Sequence, residues 1–424
     1  MLGLIIRFWK VFLFGIISGS PFAILYTTII ALLTESGIDI ALVTTLALAR
    51  LPYSLKFFWS PFIDKYNVPV FHTIMGHRRS WMFLTSIGIG SLLFYISRTS
   101  PTEHFTEFRI ASFIIGFFAA TYDIAYDALR IEMLKKDEQA MGAATASLAF
   151  RIGCLITGAG ALNMAHFYGW ENTFIALSGL FFLGALFSLV IQTKINPDHN
   201  IDDIKDKNEE KSFFEYVILP FQNFFSKQYS ILILFTIVIY KLGDSMLSFA
   251  GLPLYLSLGF TKLQISYVVK GLGLGANILG SYVGAFIMMR AGNLRGLFIC
   301  GIAQMLTNLT YVWLNHNPGN QSVFMVAVIS ENFTGGMGAA ALGGYISNLC
   351  SIRYAATQFA LLSSAATLMN NTLTSLNGKL INTIGWDWFI ISTAVVSIPS
   401  LLMLRFLHYK TNAENETVSE PEKL

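Results

Sequence analysis

Asp123, Asp127, Arg130 and Glu132 fall within one short stretch, TYDIAYDALRIEML, directly after the apolar run FRIASFIIGFFAA. On a helix, residues three and four apart share a face, so Asp123, Asp127 and Arg130 line one stripe. Carboxylates and a guanidinium arranged in this way can exchange protons, hold one another as ion pairs, or bind a charged solute. Similar groups recur along the chain: Arg50, Arg151, Lys241 and Asp244 in YKLGD, Lys270, and Glu331 beside Asn332 in ENFTGGMG. Other chemistries find no support. Cys154, Cys300 and Cys350 are isolated in apolar runs without CxxC or Cys/His spacing, so neither a disulfide framework nor a metal site is indicated. The glycine clusters follow no strand and end in no Gly-Lys-Ser/Thr, which argues against a phosphate loop. No cofactor is expected.

The elements that must position these groups are apolar. The chain of 424 residues is 54% hydrophobic and 12% charged, where soluble domains carry roughly a quarter charged residues. A membrane-spanning helix needs about 20 mostly apolar residues, and twelve such runs can be read. The first six are Phe8 to Leu33, Ile38 to Phe58, Trp81 to Ser97, Phe108 to Leu134, Gly142 to Phe167 and Asn172 to Gln192. The second six are Ser230 to Ser257, Leu263 to Met289, Leu294 to Leu314, Ser322 to Leu349, Ala355 to Leu380 and Trp388 to Leu407. The first run is too long for a signal-peptide core and lacks a small-residue cleavage pattern, so it is expected to stay as helix one. Net charge is only +3, with basic residues scattered through short loops, so a nucleic-acid surface is not expected.

Between runs six and seven lies INPDHNIDDIKDKNEEKS, charged and poor in apolar residues, which reads as a flexible linker. It divides the chain into a first half (1–193), a cytoplasmic linker (194–227), a second half (228–410) and a disordered cytoplasmic tail (411–424). Short basic loops follow run two (SPFIDKYNVPVFHTIMGHRRSW) and run eight (MMRAGNLRG) at matching places in the two halves. With the N-terminus inside, the inner loops gather most of the Lys and Arg, against Arg98, Arg109, Lys262 and Lys379 outside. The positive-inside rule therefore places both termini in the cytoplasm. The pattern predicts an all-α integral membrane fold of the major facilitator type, with twelve transmembrane helices in two six-helix halves and a solute held near the midplane between them.

At about 1.5 Å per residue, Arg50, Asp123, Arg151, Lys241, Asp244, Lys270 and Glu331 fall well inside the hydrocarbon, with Asp127 shallower. Each would cost roughly 2.5–3.5 kcal/mol at the bilayer centre if it faced lipid, so they must pair across helices or line a wet cavity. Asp123, Arg151 and Glu331 read as cavity residues. Lys241 and Asp244, three apart, fit either a cavity role or an internal ion pair. Arg50 is placed to pair with Asp123 or Asp127 and need do nothing else. Asp127, Arg130 and Glu132 lie near the inner face and fit a gate latch. The clusters TGGMGAAALGG and GLGLGANILGSYVGA put small residues at helical spacing, as close helix packing requires.

The ordered set LPYSLKFFWSPFIDKY, GHRRSW, DIAYDALRIEML, YKLGDSM, LGF, ENFTGGMGAAALGG, TQFALLSS and GW resembles the AmpG muropeptide permeases along essentially the whole chain. The resemblance implies a multi-pass protein of the bacterial inner membrane that imports anhydro-muropeptides, driven by the proton gradient. It marks Asp123, Asp127, Arg130, Arg151, Lys241 and Asp244, and it marks Asp64, Arg78 and Arg79 in the gating loop after helix two. One departure stands out: Tyr122 occupies a position where that family usually has Gln, which bears on sugar contact there.

Residue chemistry agrees with that implication. A muropeptide carries carboxylates and sugar hydroxyls, for which Arg50, Arg151, Lys241 and Lys270 offer cations and Asn277, Gln304, Asn308, Asn332 and Asn377 offer amides. Coupling to protons needs a carboxylate that changes its partner during the cycle, and Asp123 and Glu331 are the candidates. Expected partners are thus a small-molecule muropeptide, protons and the lipid bilayer, with the protein acting as a monomer. An acyl-CoA, a nucleotide or a peptide is the alternative solute for the same machine. An enzyme is not expected, because the short loops hold no cluster with ligand or nucleophile spacing. A receptor or scaffold would leave the midplane charges unexplained.

Overall fold

The computed structural model describes the chain apart from residues 1, 39–41, 43–45, 47–48, 50, 194–212, 375 and 420–424. Nine helical runs among the described residues are long and apolar enough to cross a membrane. The longest, Lys136–Val190, has 55 residues, about 80 Å of helix against a hydrocarbon core of roughly 30 Å. It divides at Gly169, whose φ of 79° and ψ of 164° no helix contains. Gly385 (φ 77°, ψ 172°) breaks the run near the C-terminus in the same way.

The helices are α1 (Ile5–Glu35), α2 (pieces Leu51–Leu55, Lys56–Phe58 and Ser60–Lys65), α3 (His77–Ser97) and α4 (Phe105–Met133), followed by α5 (139–168) and α6 (170–190). After the linker come α7 (Ser230–Ser257), α8 (Leu263–Ala291), α9 (Asn293–Asn315), α10 (Gln321–Leu349), α11 (Ala355–Thr374, resuming over 377–384) and α12 (386–419). Gly76 (φ 83°, ψ 173°) and Gly292 (φ 80°, ψ 170°) share the backbone conformation of Gly169 and Gly385. This region is open essentially to glycine alone. The four stand immediately before α3, α6, α9 and α12, and both intervals, Gly76 to Gly169 and Gly292 to Gly385, are 93 residues. A three-helix motif is therefore repeated four times.

The chain folds into two compact units. Unit one takes Met1–Lys135, Thr145–Phe221 and Cys350–Ser364; unit two takes Lys136–Ala144, Gln222–Leu349 and Ala365–Leu424. Each therefore includes a short segment from the opposite half of the sequence. Unit one packs around Phe14, Ile17, Ile115, Ala125, Phe174 and Phe181, all nearly inaccessible. In unit two the core holds Leu247, Leu254, Val268, Phe324, Phe389 and Ile390.

Glycines act as the packing surfaces their spacing predicts. A Cβ on Gly280 would lie 1.8 Å from the Phe333 carbonyl oxygen, and one on Gly336 would lie 2.1 Å from that of Asn277, so α8 and α10 meet backbone to backbone. In unit one, Gly19 against Phe150 and Gly153 against Ile16 join α1 to α5 with the same intimacy, 2.2 Å in each case.

Three boundaries differ from expectation. α2 does not stop at Phe58 but resumes at Ser60 and runs to Lys65, because Pro61 sits at the start of the new piece, where proline is tolerated. Within the expected linker, Phe213–Phe225 is helical, its apolar sequence FFEYVILPFQNFF masked by the charges before it. The expected disordered tail is helical as far as Ser419, as a continuation of α12.

Candidate functional site

The acidic stripe of α4 meets a cation from α2. Lys56, 7% exposed, places Nζ 2.5 Å from Asp123 Oδ2 and 3.7 Å from Asp127 Oδ2. Ser18 of α1 donates to Asp123 Oδ1 at 3.0 Å, and Arg130 Nη2 lies 3.5 Å from Asp127 Oδ1. Nearby, the Trp59 indole donates to Thr121 Oγ1 at 3.1 Å. An ammonium removed from water needs such partners, since an unpaired buried charge is strongly destabilising. Lys56 had not been singled out from the sequence. With α2 ended at Phe58 it stood at the end of the expected run, whereas the added turns through Lys65 place it within the helix.

Arg50, the cation expected to meet Asp123 or Asp127, lies outside the described residues. Arg151 on α5 is partly buried and precedes the π-helical turn Ile156–Gly160. Tyr122 does not offer its ring to a ligand: it is 1% exposed and its hydroxyl donates to the Phe14 carbonyl of α1 at 3.2 Å. Tyr126, one turn on, bonds Val11 in the same manner. The residue that departs from the AmpG pattern thus packs between α1 and α4.

Unit two holds a second cluster. Lys241 Nζ is 2.5 Å from Asp244 Oδ2 and donates to the Gly335 carbonyl of α10 at 3.1 Å. One turn before Gly335, buried Glu331 accepts from Ser248 Oγ at 3.2 Å and from Asn332 Nδ2 at 2.9 Å. Asp244 stands against Glu331, and both amide atoms of Gln304 and Oδ1 of Asn308 and Asn377 are buried without a hydrogen-bond partner among the described residues. The Asn308 and Asn377 amide nitrogens are engaged, on Thr393 and on the Met246 carbonyl. Lys270 is exposed, within the π-helical stretch Ser266–Gly273, and is not part of this cluster.

A third cluster forms in unit one where α2 and α4 end and α3 begins. Arg78 donates to Asp64 Oδ1 at 2.6 Å and to Glu132 Oε1 at 2.8 Å, with all three side chains buried. The other Asp64 oxygen accepts from the backbone N–H of Thr357 at 2.8 Å and from its hydroxyl at 2.6 Å. Thr357 lies in the first turn of α11, whose N–H groups lack helix partners, so Asp64 caps that helix and meets the positive end of its dipole. The Arg130 guanidinium stands 5.3 Å from the Phe359 ring centroid. Arg79, expected with the latch, instead donates to the Ser188 and Ile191 carbonyls at the end of α6. Glu132 and Thr357 complete the cluster. Glu132 lay within the quoted acidic stretch and Thr357 opens the quoted string TQFALLSS, but nothing local in the sequence pointed to Asp64 as its partner.

The sequence matches the Major Facilitator Superfamily over residues 11–371. It is 43% identical to the transporter AmpG 4 of Rickettsia conorii over 410 residues, 96% of this chain and 97% of that protein. It is 32% identical to the anhydromuropeptide permease of Escherichia coli over 395 residues, 92% of this chain and 77% of the permease. Among solved structures, the human organic anion transporter MFSD10 superposes with a TM-score of 0.67 at 15% identity, covering 94% of this chain and 99% of that one. The E. coli fucose:proton symporter FucP does so with 0.62 at 11% identity, covering 96% and 98%. These two establish the fold alone. With twelve helices in two sequence halves and near-full-length relatives named as transporters, the chain is a multi-pass membrane transporter of the major facilitator superfamily and belongs to its AmpG family.

Proposed function

We propose that this protein imports anhydro-muropeptides from the periplasm into the cytoplasm across the bacterial inner membrane, with both termini cytoplasmic and a proton carried alongside. The observation that carries the reading is the pairing of ammonium groups with carboxylates: Lys56 with Asp123 and Asp127, and Lys241 with Asp244. A stem-peptide carboxylate that binds Lys56 displaces Asp123. The released carboxylate, buried and without its cation, then takes up a proton. Substrate and proton move together for this reason. Asp123 is the coupling group, Lys56 and Lys241 are the anion sites, and the unpaired amides of unit two receive sugar and peptide groups. The cluster of Asp64, Arg78, Glu132 and Thr357 is the cytoplasmic latch, made and broken as the protein alternates between states. Uptake of labelled anhydro-muropeptide into right-side-out vesicles, with and without a protonophore, tests the proposal. Accumulation that collapses with the protonophore is expected. Uptake competed by acyl-CoA or nucleotides but not by unlabelled muropeptide would reassign the substrate.

A further inference from the structure

Unit two contains a cleft of about 610 Å³ apart from the clusters above. It lies among the start of α7, the turn between α8 and α9, the end of α10 and the turn of α12 at Leu407 and His408, and its polar lining includes Gln228, Tyr229, Asn293, Arg295, Tyr345 and His408. Arg295 donates through Nε to His408 Nε2 at 2.7 Å and meets no carboxylate among the described residues. Its terminal N–H groups and its charge are therefore uncommitted. At the same point α9 begins without a side-chain cap, since Gly292 has none to offer. The helix ladder starts with the Gly296 N–H bonding the Gly292 carbonyl, which leaves the N–H groups of Asn293, Leu294 and Arg295 without helix partners.

A separate observation comes from α10. Tyr345 is 5% exposed and lines the cleft, yet its hydroxyl makes no hydrogen bond among the described residues. A tyrosine buried to this degree ordinarily finds a partner for its hydroxyl.

We propose that this cleft binds a phosphate group, held by the Arg295 guanidinium and the N-terminus of α9 and bonded by the Tyr345 hydroxyl. A guanidinium fork, a row of backbone N–H groups and a phenol present more donors than one carboxylate accepts, and they match the several oxygens of a phosphate. The cleft exceeds a bare phosphate in size and has apolar walls from Ile233, Leu294, Leu349 and Leu407. The phosphate is therefore part of a larger molecule, either a phospholipid headgroup or a phosphorylated solute on the side that the loop charges assign to the cytoplasm.

The test uses the full-length protein in neutral detergent, titrated with phosphatidylglycerol, with diacylglycerol as the lipid that lacks phosphate, and with inorganic phosphate at matched ionic strength. Phosphatidylglycerol binds and diacylglycerol does not. Arg295→Gln weakens binding about tenfold and Tyr345→Phe roughly fivefold, as loss of a charge-assisted and of a neutral hydrogen bond implies. Displacement of the lipid by inorganic phosphate identifies a soluble phosphorylated ligand, and resistance to displacement identifies the headgroup. Equal binding of diacylglycerol, binding of neither phosphate source, or unchanged affinity in both variants overturns the proposal. If Arg295→Gln fails to fold, Tyr345→Phe, which preserves volume, decides alone.

Discussion

Lys56→Met removes the ammonium from between two carboxylates while keeping most of the side-chain volume. The lost contacts are those at 2.5 Å to Asp123 and 3.7 Å to Asp127, and Arg130 remains near Asp127 at 3.5 Å. Breaking a buried ion pair by removing one partner costs about 3–5 kcal/mol, most of it the penalty of the charge left behind. Unit one is comparable in size to a domain of about 200 residues, for which 1 kcal/mol shifts the unfolding midpoint by about 2–4 °C. A loss of about 6–20 °C is therefore expected in thermal unfolding followed by tryptophan fluorescence. The second arm is Lys56→Met combined with Asp123→Asn, which removes the stranded charge. The double variant should recover at least half of that loss, about 1.5–2.5 kcal/mol, as coupling between the two positions. Additive losses would show that Lys56 does not neutralise Asp123, and the displacement scheme for proton coupling would fall with it.

Asp123→Asn should abolish proton-driven accumulation but spare downhill exchange of labelled against unlabelled muropeptide, because exchange moves no net proton; normal accumulation in this variant transfers the coupling role to Glu331 or Asp244. Asp64→Asn turns an amide group toward either Arg78 or the Thr357 N–H, both of them donors, so the maximal transport rate should change by several-fold with substrate affinity little altered; the reverse pattern in uptake kinetics would make Asp64 a binding residue. Gly336→Ala forces a Cβ to within 2.1 Å of the Asn277 carbonyl oxygen and should cost about 3 kcal/mol, read as a lower unfolding midpoint. Tyr122→Phe should cost about 1 kcal/mol for its bond to the Phe14 carbonyl and leave substrate affinity unchanged, and a weakened affinity would return that residue to the binding site.

The stripe of Asp123, Asp127 and Arg130 was legible because helical spacing alone places these residues on one face. The packing role of the glycine clusters was legible for the same reason. Tyr122 and Tyr126 are also four apart, and that spacing already put them on a stripe of their own; only the structure identifies α1 as its neighbour. Lys56 was missed through a boundary. The apolar count ends where Ser60, Pro61 and Asp64 begin, although proline at the start of a helix lets the chain continue. Thr357 opens the quoted string TQFALLSS, but its role could not be read, since its contribution is a backbone N–H and a hydroxyl brought to Asp64 from 293 residues away.

Both lysines also stand where their helices depart from α geometry. Lys56 opens the 3₁₀ piece Lys56–Phe58 of α2, and Lys241 (φ −98°, ψ 2°) separates Ser230–Tyr240 from Leu242–Ser257 in α7. Interrupted helices are tolerated at membrane depth only where protein or a wet cavity surrounds them. The two pieces of α7 are anchored separately. Before the break, Tyr240 donates to the Leu297 carbonyl of α9 at 2.9 Å. Beyond it, Asn377 donates to the Met246 carbonyl at 2.8 Å, and a Cβ on Gly243 would come within 2.0 Å of the Thr393 carbonyl oxygen. Each piece can then follow its own neighbours, and the angle between them is taken up at Lys241. A change in that angle moves the ammonium relative to the Gly335 carbonyl of α10, one turn from Glu331. In such an arrangement the pairing of the cation and the shape of the helix are linked, so a ligand that captures Lys241 acts on the same joint that a moving helix must bend.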